Sequence, residues 1–163
     1  MTEERQRVHH GLLCSIVKTM QREYPEAPLV GVGAVLVDEK ARVLLIKRGH
    51  EPMKGCWSLP GGLVELGESL SDAVRRELLE ETSLHVEVLA LVELLDRIDR
   101  TETGIRYHYV IADYLCRVTG GRLAASDDAA DARWASPEDF DRLHLDAVTL
   151  RVIEAGLRIY NSL

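Results

Sequence analysis

The sequence predicts a mixed α/β domain, with helices packed on a mixed sheet. Three observations carry this. Apolar side chains recur at helical spacing at both ends of the chain, through Val8, Leu12, Ile16 and Met20 and again through Val148, Val152, Ile153 and Leu157. Short runs rich in Val, Leu and Ala, bounded by Gly, Asp and Pro, fill the space between and read as strands. One further helical run, from about Ser69 to Glu81, divides those strands into two groups. The 163 residues suit one domain with a small appendage, and 46% hydrophobic with 29% charged residues excludes a disordered or collagen-like chain.

The elements follow in order. An apolar stripe from Val8 to Tyr24, flanked by Arg5, Arg7, Lys18 and Arg22, predicts an amphipathic helix ended by Pro25 and Pro28. Charges interrupt it and no small-residue cleavage site follows, so it does not read as a secretory signal. We therefore divide the chain into an N-terminal helix, residues 1–26, and a domain of residues 27–163. Leu29 to Val37 and Val43 to Ile46 read as two strands of a hairpin turned by Asp38-Glu39-Lys40, with Gly31 and Gly33 inside the first. Gly49 to Gly55 reads as a loop. Val86 to Leu95 and Tyr107 to Val118 are expected as two more strands joined by a charged loop, Asp96 to Gly104. Gly120-Gly121 turns the chain, and Asp127 to Asp131 is expected as an acidic loop before a short strand, Ala132–Trp134. Ser136-Pro137-Glu138-Asp139 carries a helix start: serine as N-cap, proline at the first position and an acid three residues after the cap.

Charge and composition narrow the function. A net charge of −7 argues against a surface that holds a nucleic-acid polymer, so any phosphate chemistry needs local arginines or a metal ion. Apolar stretches fall well short of the ~18 residues that span a bilayer, so no membrane span is expected. The three cysteines, Cys14, Cys56 and Cys116, form no C-x-x-C pair, which fits a reducing, cytoplasmic setting and packed thiols with no nucleophile among them.

The chemistry sits in one segment, Gly62 through Leu84. Glu77, Glu80 and Glu81 lie at i, i+3 and i+4 and project from one helix face, while Leu70, Val74 and Leu78 anchor the neighbouring face on the sheet. At ~6 Å and an effective dielectric of ~20, each pair of like charges costs about 2–3 kcal/mol. A divalent ion with oxygen ligands, Mg²⁺ or Mn²⁺, removes that repulsion. Arg75 and Arg76 on the same helix are the other source of compensation.

The segment resembles the Nudix box, G-x5-E-x7-R-E-U-x-E-E-x-G-U with U bulky and aliphatic. Gly62, Glu68, Arg76, Glu77, Leu78, Glu80, Glu81 and Leu84 fall in register, preceded by Leu59-Pro60-Gly61. The single departure is Ser83, where the family has the glycine that ends the box helix in a left-handed conformation. The resemblance implies a Nudix-type α/β/α sandwich that hydrolyses a nucleoside diphosphate linked to a further moiety. It implies divalent metals bound by Glu77, Glu80 and Glu81 with the Gly62 carbonyl. Arg76 would orient the acids, with Glu68 as its partner or as an outer metal contact. The general base would be Glu77, Glu81 or an acid of the loop Ser126 to Asp131, where Asp128 is a candidate for substrate contact. Trp57 and Trp134 look like scaffold residues of the family.

Substrate choice rests on less. General likeness to small ADP-ribose-pyrophosphatase-type members points to ADP-ribose or a sugar nucleotide, although Asp99-Arg100 stand where that subgroup often has a proline. Lys47 and Arg48, at a strand end, are candidates for a phosphate contact. The alternatives are a (d)NTP or oxidised-NTP pyrophosphohydrolase, a non-catalytic nucleotide sensor and another enzyme on the same fold, such as an isopentenyl-diphosphate isomerase. The N-terminal stripe is expected to complete a homodimer or to pack on its own sheet; buried, each large side chain contributes roughly 1.5–3 kcal/mol.

Overall fold

The computed structural model describes residues 21–51, 53–125 and 129–163. Most of the expected N-terminal helix and residues 126–128 lie outside these ranges. The chain runs β1 (Leu29–Leu36), β2 (Val43–Arg48), β3 (Trp57–Ser58), β4 (Gly61–Leu63), α1 (Leu70–Thr82), β5 (Leu84–Thr101), β6 (Gly104–Gly121), β7 (Ala129–Ala135), a 3-10 turn (Pro137–Asp139), α2 (Phe140–Leu143) and α3 (Ala147–Tyr160). Two sheets form. One has the order β4-β1-β6-β5, mixed because β1 runs parallel to β6, and the other has the order β3-β2-β7.

Alternation along β1 explains the layers. Val32, Ala34 and Leu36 meet Ala73, Val74 and Leu78 of α1 in one core, while Val35 meets Val152 and Ile153 of α3 in a second. Helices thus cover both faces of a strand that reads as a near-continuous apolar run. The result is the α/β/α sandwich expected.

Three expectations are corrected. β1 and β2 are joined by a tight turn in which Asp38 accepts from the backbone N–H of Lys40 and Arg42, both at 2.9 Å. They share only the Val37–Val43 bridge, then part into different sheets, because β4 and β6 take both edges of β1 while β3 and β7 take both edges of β2. The loop Asp96 to Gly104 does not exist: β5 and β6 are 18 residues each and continue as a ribbon to a turn at Glu102-Thr103. From Asp99 on, its charges lie on strands that extend past the pairing of β1 with β6, which begins at Tyr109, so water reaches that part of the ribbon. The acidic loop before the last strand is shorter than read, since Asp131 belongs to β7 and pairs across to Lys47. Asp127 and Asp128 fall outside the described residues. Pairing of β5 with β6 also shifts register at four places, between His85/Val86, Val88/Ala90, Leu91/Glu93 and Asp99/Arg100.

The cap read at Ser136 is present, and a second cap, not read from the sequence, opens α1. There Ser69 Oγ accepts from the Asp72 N–H at 3.2 Å. Asp139 accepts from the Ser136 N–H at 3.1 Å and hydroxyl at 2.9 Å, although what it starts is a 3-10 turn followed by a single α turn. Ser83 takes the left-handed conformation itself, φ 60° and ψ 21°, with its N–H donating to Leu79 at 2.9 Å. The helix therefore ends as it would with glycine, at a conformational cost of about 1 kcal/mol.

Candidate active site

α1 lies with its acidic face beside β4, and the two together form one wall of an open cleft of about 1130 Å³. A Cβ on Gly62 would fall 2.3 Å from the Glu77 carboxyl, so only a bare backbone lets that carboxylate lie across the strand. Glu81, 8% exposed, accepts from the Gly61 N–H at 2.7 Å. Arg76 is the hub. It donates to both Glu68 oxygens at 2.9 Å, to Glu77 at 2.8 Å, to Glu80 at 3.2 Å and to the Leu63 carbonyl at 2.9 Å. A guanidinium offers five donors in a fixed fork, which a lysine cannot imitate.

The electrostatics follow from this wiring. Arg76 holds the Glu68 carboxyl below its ordinary value. Glu68 first, and Glu77 after it, hold the guanidinium protonated above its own. Glu77 goes the other way: burial raises it, and the arginine offsets only part of that. Cys116 is buried and its thiol is pushed up to about 12, which rules it out as a nucleophile at neutral pH.

By chemistry the donors suit a hard divalent ion. Glu77, Glu80 and Glu81 supply anionic oxygens on one face, next to the backbone of a glycine, at the mouth of a cleft. Yet no three acid, histidine or cysteine side chains among the described residues converge on one point, since Arg76 draws Glu77 and Glu80 to itself and Gly61 draws Glu81.

Of the remaining expected site residues, Arg48 lines the cleft beside Ile46. Lys47 alternates to the other face of β2 and does not line it. Asp128 lies outside the described residues. Trp57 is buried, with the Arg133 guanidinium 4.3 Å above its ring, and acts as scaffold. The opposite wall carries Tyr107 and Tyr109, two of the eight aromatics the sequence offers for stacking a base but does not separate from core residues, and Asp113, which the sequence did not single out. Tyr107, Tyr109, Ile111 and Asp113 occupy alternate positions of β6 and all face the cleft. The two tyrosine rings lie 6.2 Å apart and nearly parallel. Their spacing of two was the available signal.

Acids on one helix face, an arginine hub and an open cleft on an α/β/α sandwich define a domain of the class that handles phosphoric anhydrides. The family model described as the NUDIX domain matches residues 27–155, and the chain belongs to the Nudix family, as an enzyme acting on pyrophosphate bonds. The ADP-ribose pyrophosphatase of Methanocaldococcus jannaschii is 38% identical over 119 residues, 73% of this chain and 68% of that protein. The crystal structure of a MutT NUDIX hydrolase from Burkholderia pseudomallei superposes with a TM-score of 0.66 at 33% identity, covering 80% of this chain and 98% of that one. The NUDIX domain of Shewanella oneidensis NrtR, complexed with ADP ribose, gives a TM-score of 0.66 at 26% identity over 83% and 90% of the two chains.

Proposed function

We propose that this chain hydrolyses the diphosphate of a nucleoside diphosphate linked to a second moiety, of ADP-ribose or sugar-nucleotide type. Water adds to one phosphorus, the bridging P–O bond breaks, and two monophosphates leave. The observation that carries the reading is a cleft with an acidic, arginine-wired wall at one end and the Tyr107–Tyr109 pair at another. Such a cleft has room for an organic group as well as a diphosphate. Likeness to an ADP-ribose pyrophosphatase, and to a domain seen with ADP ribose, supports the same class.

Glu77, Glu80 and Glu81 would hold Mg²⁺ or Mn²⁺, with the Gly62 carbonyl as a further donor. An ion held there would supply charge neutralisation at the phosphate oxygens and a more acidic water. Arg76 keeps the acids on the cleft side of the helix, and Glu68 fixes Arg76 from behind through both of its oxygens. Glu77 and Glu81 are the candidates to take the proton from the attacking water. Arg48 is positioned to meet an anionic group in the cleft. A homodimer completed by residues 1–26 and a cytoplasmic setting belong to the same proposal.

The test is a phosphate-release screen with and without Mg²⁺ over ADP-ribose, sugar nucleotides, dinucleotides, NTPs and oxidised NTPs. ADP-ribose or a sugar nucleotide is expected at a kcat/KM at least about tenfold above any NTP, roughly 1.4 kcal/mol of transition-state stabilisation. Preference for a triphosphate would move the chain to the nucleotide-pool reading.

A further inference from the structure

We infer that Asp113 determines specificity in this cleft, its buried carboxylate receiving a hydrogen bond from an N–H or O–H donor on the organic part of the substrate. The inference rests on the substrate class proposed above. A nucleoside diphosphate derivative offers such donors on its base and its sugars, while its charged part is anionic and repelled by a carboxylate.

The placement is built by the sheet. Gly61, Gly33, Asp113 and Glu93 form one row across β4, β1, β6 and β5. Gly33 has no side chain, and Asp113 leans into the space this leaves: a Cβ on residue 33 would lie 2.0 Å from Asp113 Oδ1. A glycine inside an otherwise Val-rich strand, unexplained by any turn, is accounted for by this carboxylate.

Asp113 is 5% exposed, and the surface it keeps opens on the cleft. No hydrogen bond or ion pair reaches it from the described residues. The nearby donors are committed elsewhere. Arg151 is drawn to Glu93, the carboxylate directly across on β5, at 2.6 Å. Arg97, also on the cleft wall, is bound by Asp146 at 2.6 Å, and the Thr149 hydroxyl donates to the same aspartate at 2.9 Å. No buried side-chain oxygen among the described residues lacks a hydrogen-bond partner, so the Asp113 carboxylate keeps its oxygens accessible on the cleft, where water or a ligand donates to it. It also discriminates: a donor placed there is accepted, while an acceptor there meets a carboxylate that repels it. On the same strand face, two positions of alternation away, the half-buried Tyr109 lines the cleft and offers an aromatic contact, backed by the buried Tyr107 ring.

The experiment compares the full chain with Asp113→Asn and Asp113→Ala. Substrates are ADP-ribose, its hypoxanthine counterpart lacking the 6-amino group, 2′-deoxy and other deoxy-sugar counterparts, and a simple aryl diphosphate ester with neither base nor sugar. Asp113→Asn is expected to lower kcat/KM for ADP-ribose at least tenfold, mostly through KM, and to leave the aryl ester within twofold. If the intact protein discriminates against the hypoxanthine compound and Asp113→Asn does not, the donor is on the base. If it discriminates against a deoxy-sugar compound, the donor is on a sugar. Should Asp113→Ala fail to fold, Gly33→Ala serves as the second variant, because its Cβ displaces the carboxylate, and it should reproduce the selectivity of Asp113→Asn. Equal losses on ADP-ribose and the aryl ester would mean a structural role, and unchanged selectivity would mean none; either overturns the inference. A full-length protein that cleaves no nucleoside diphosphate derivative at all would overturn the substrate reading first, and this inference with it.

Discussion

At the box-helix end of the cleft three carboxylates share one guanidinium and a fourth takes a backbone N–H, whereas on β6 a single, nearly buried carboxylate faces the cleft with no donor among the described residues. The first group is held in place before any ligand arrives. The second is held in deficit. Preorganisation at the acids favours the reaction on any diphosphate, and the deficit at Asp113 gives a reason to prefer one attached group over another. Chemistry and selectivity thus draw on opposite treatments of the same functional group.

The comparison breaks most visibly at the acids. Glu81→Gln keeps the shape and the acceptor for Gly61 N–H but removes a charge. Turnover with Mg²⁺ should fall by about 10³-fold or more, some 4 kcal/mol, with the circular dichroism spectrum unchanged. Full activity in this variant, or in excess EDTA, would refute a metal-dependent role for the helix.

Loss of the hub comes next. Arg76→Ala strands Glu77 and Glu68 in a half-buried site and should cost about 2 kcal/mol of stability, a melting shift of roughly 5 °C for a domain of this size. Arg76→Lys restores charge without the fork, so it should recover only part of both stability and activity. Equal melting temperatures for all three proteins would show that the wiring contributes nothing.

Asp113 should respond in the opposite direction. Burial, with Glu93 opposite and Arg97 only partly compensating, raises its carboxyl from 3.8 to about 6. Between those values the folded state holds a proton that the unfolded state has lost, so this group makes stability fall as pH climbs through that window, and the penalty persists above it. Asp113→Asn removes the penalty. The variant should melt higher than the parent at pH 7.5, by about 1–3 kcal/mol, and the difference should vanish below about pH 4. A variant less stable than the parent at pH 7.5 would show that the carboxylate is satisfied after all.

The smallest effect belongs to the helix end. Ser83→Gly relieves the left-handed serine but loosens the unfolded chain, for a net gain of about 0.5 kcal/mol. Chemical denaturation resolves a change of that size, and a loss would show that the serine side chain contributes more than the strain it bears.

These sites differ in how legible they were. The box acids and Arg76 share one helix face and Arg76 reaches Glu77 and Glu80 within one turn, so spacing along the chain reveals them. The contacts of Glu81 with Gly61 and of Arg76 with Leu63 cross from the helix to β4 and were not legible. Asp113 lies between Ala112 and Tyr114 and reads as a polar interruption in a strand. Its meaning depends on Gly33, some eighty residues earlier, and only the parallel register of β1 on β6 brings the two together. The long ribbon was misread for a related reason. Asp99 and Arg100 look like loop residues because a strand that leaves the layered core needs no apolar face. The parting of β1 and β2 was hidden too, since which edges are free is a property of the whole sheet.

The four register shifts along β5 have a consequence for the molecule in a crowded solution. β5 is an outer strand, 18 residues long, with Leu91, Leu94 and Ile98 exposed along it. A straight ribbon of that kind is a template on which other chains can add strands and aggregate. Each bulge bends the edge and interrupts its run of evenly spaced N–H and C=O groups. Glu87, Glu93, Asp96 and Asp99 set negative charge at intervals along the same strand, where an identical chain would have to align its own. The irregular pairing is thus a guard against self-association at the longest open edge the protein has among its described residues.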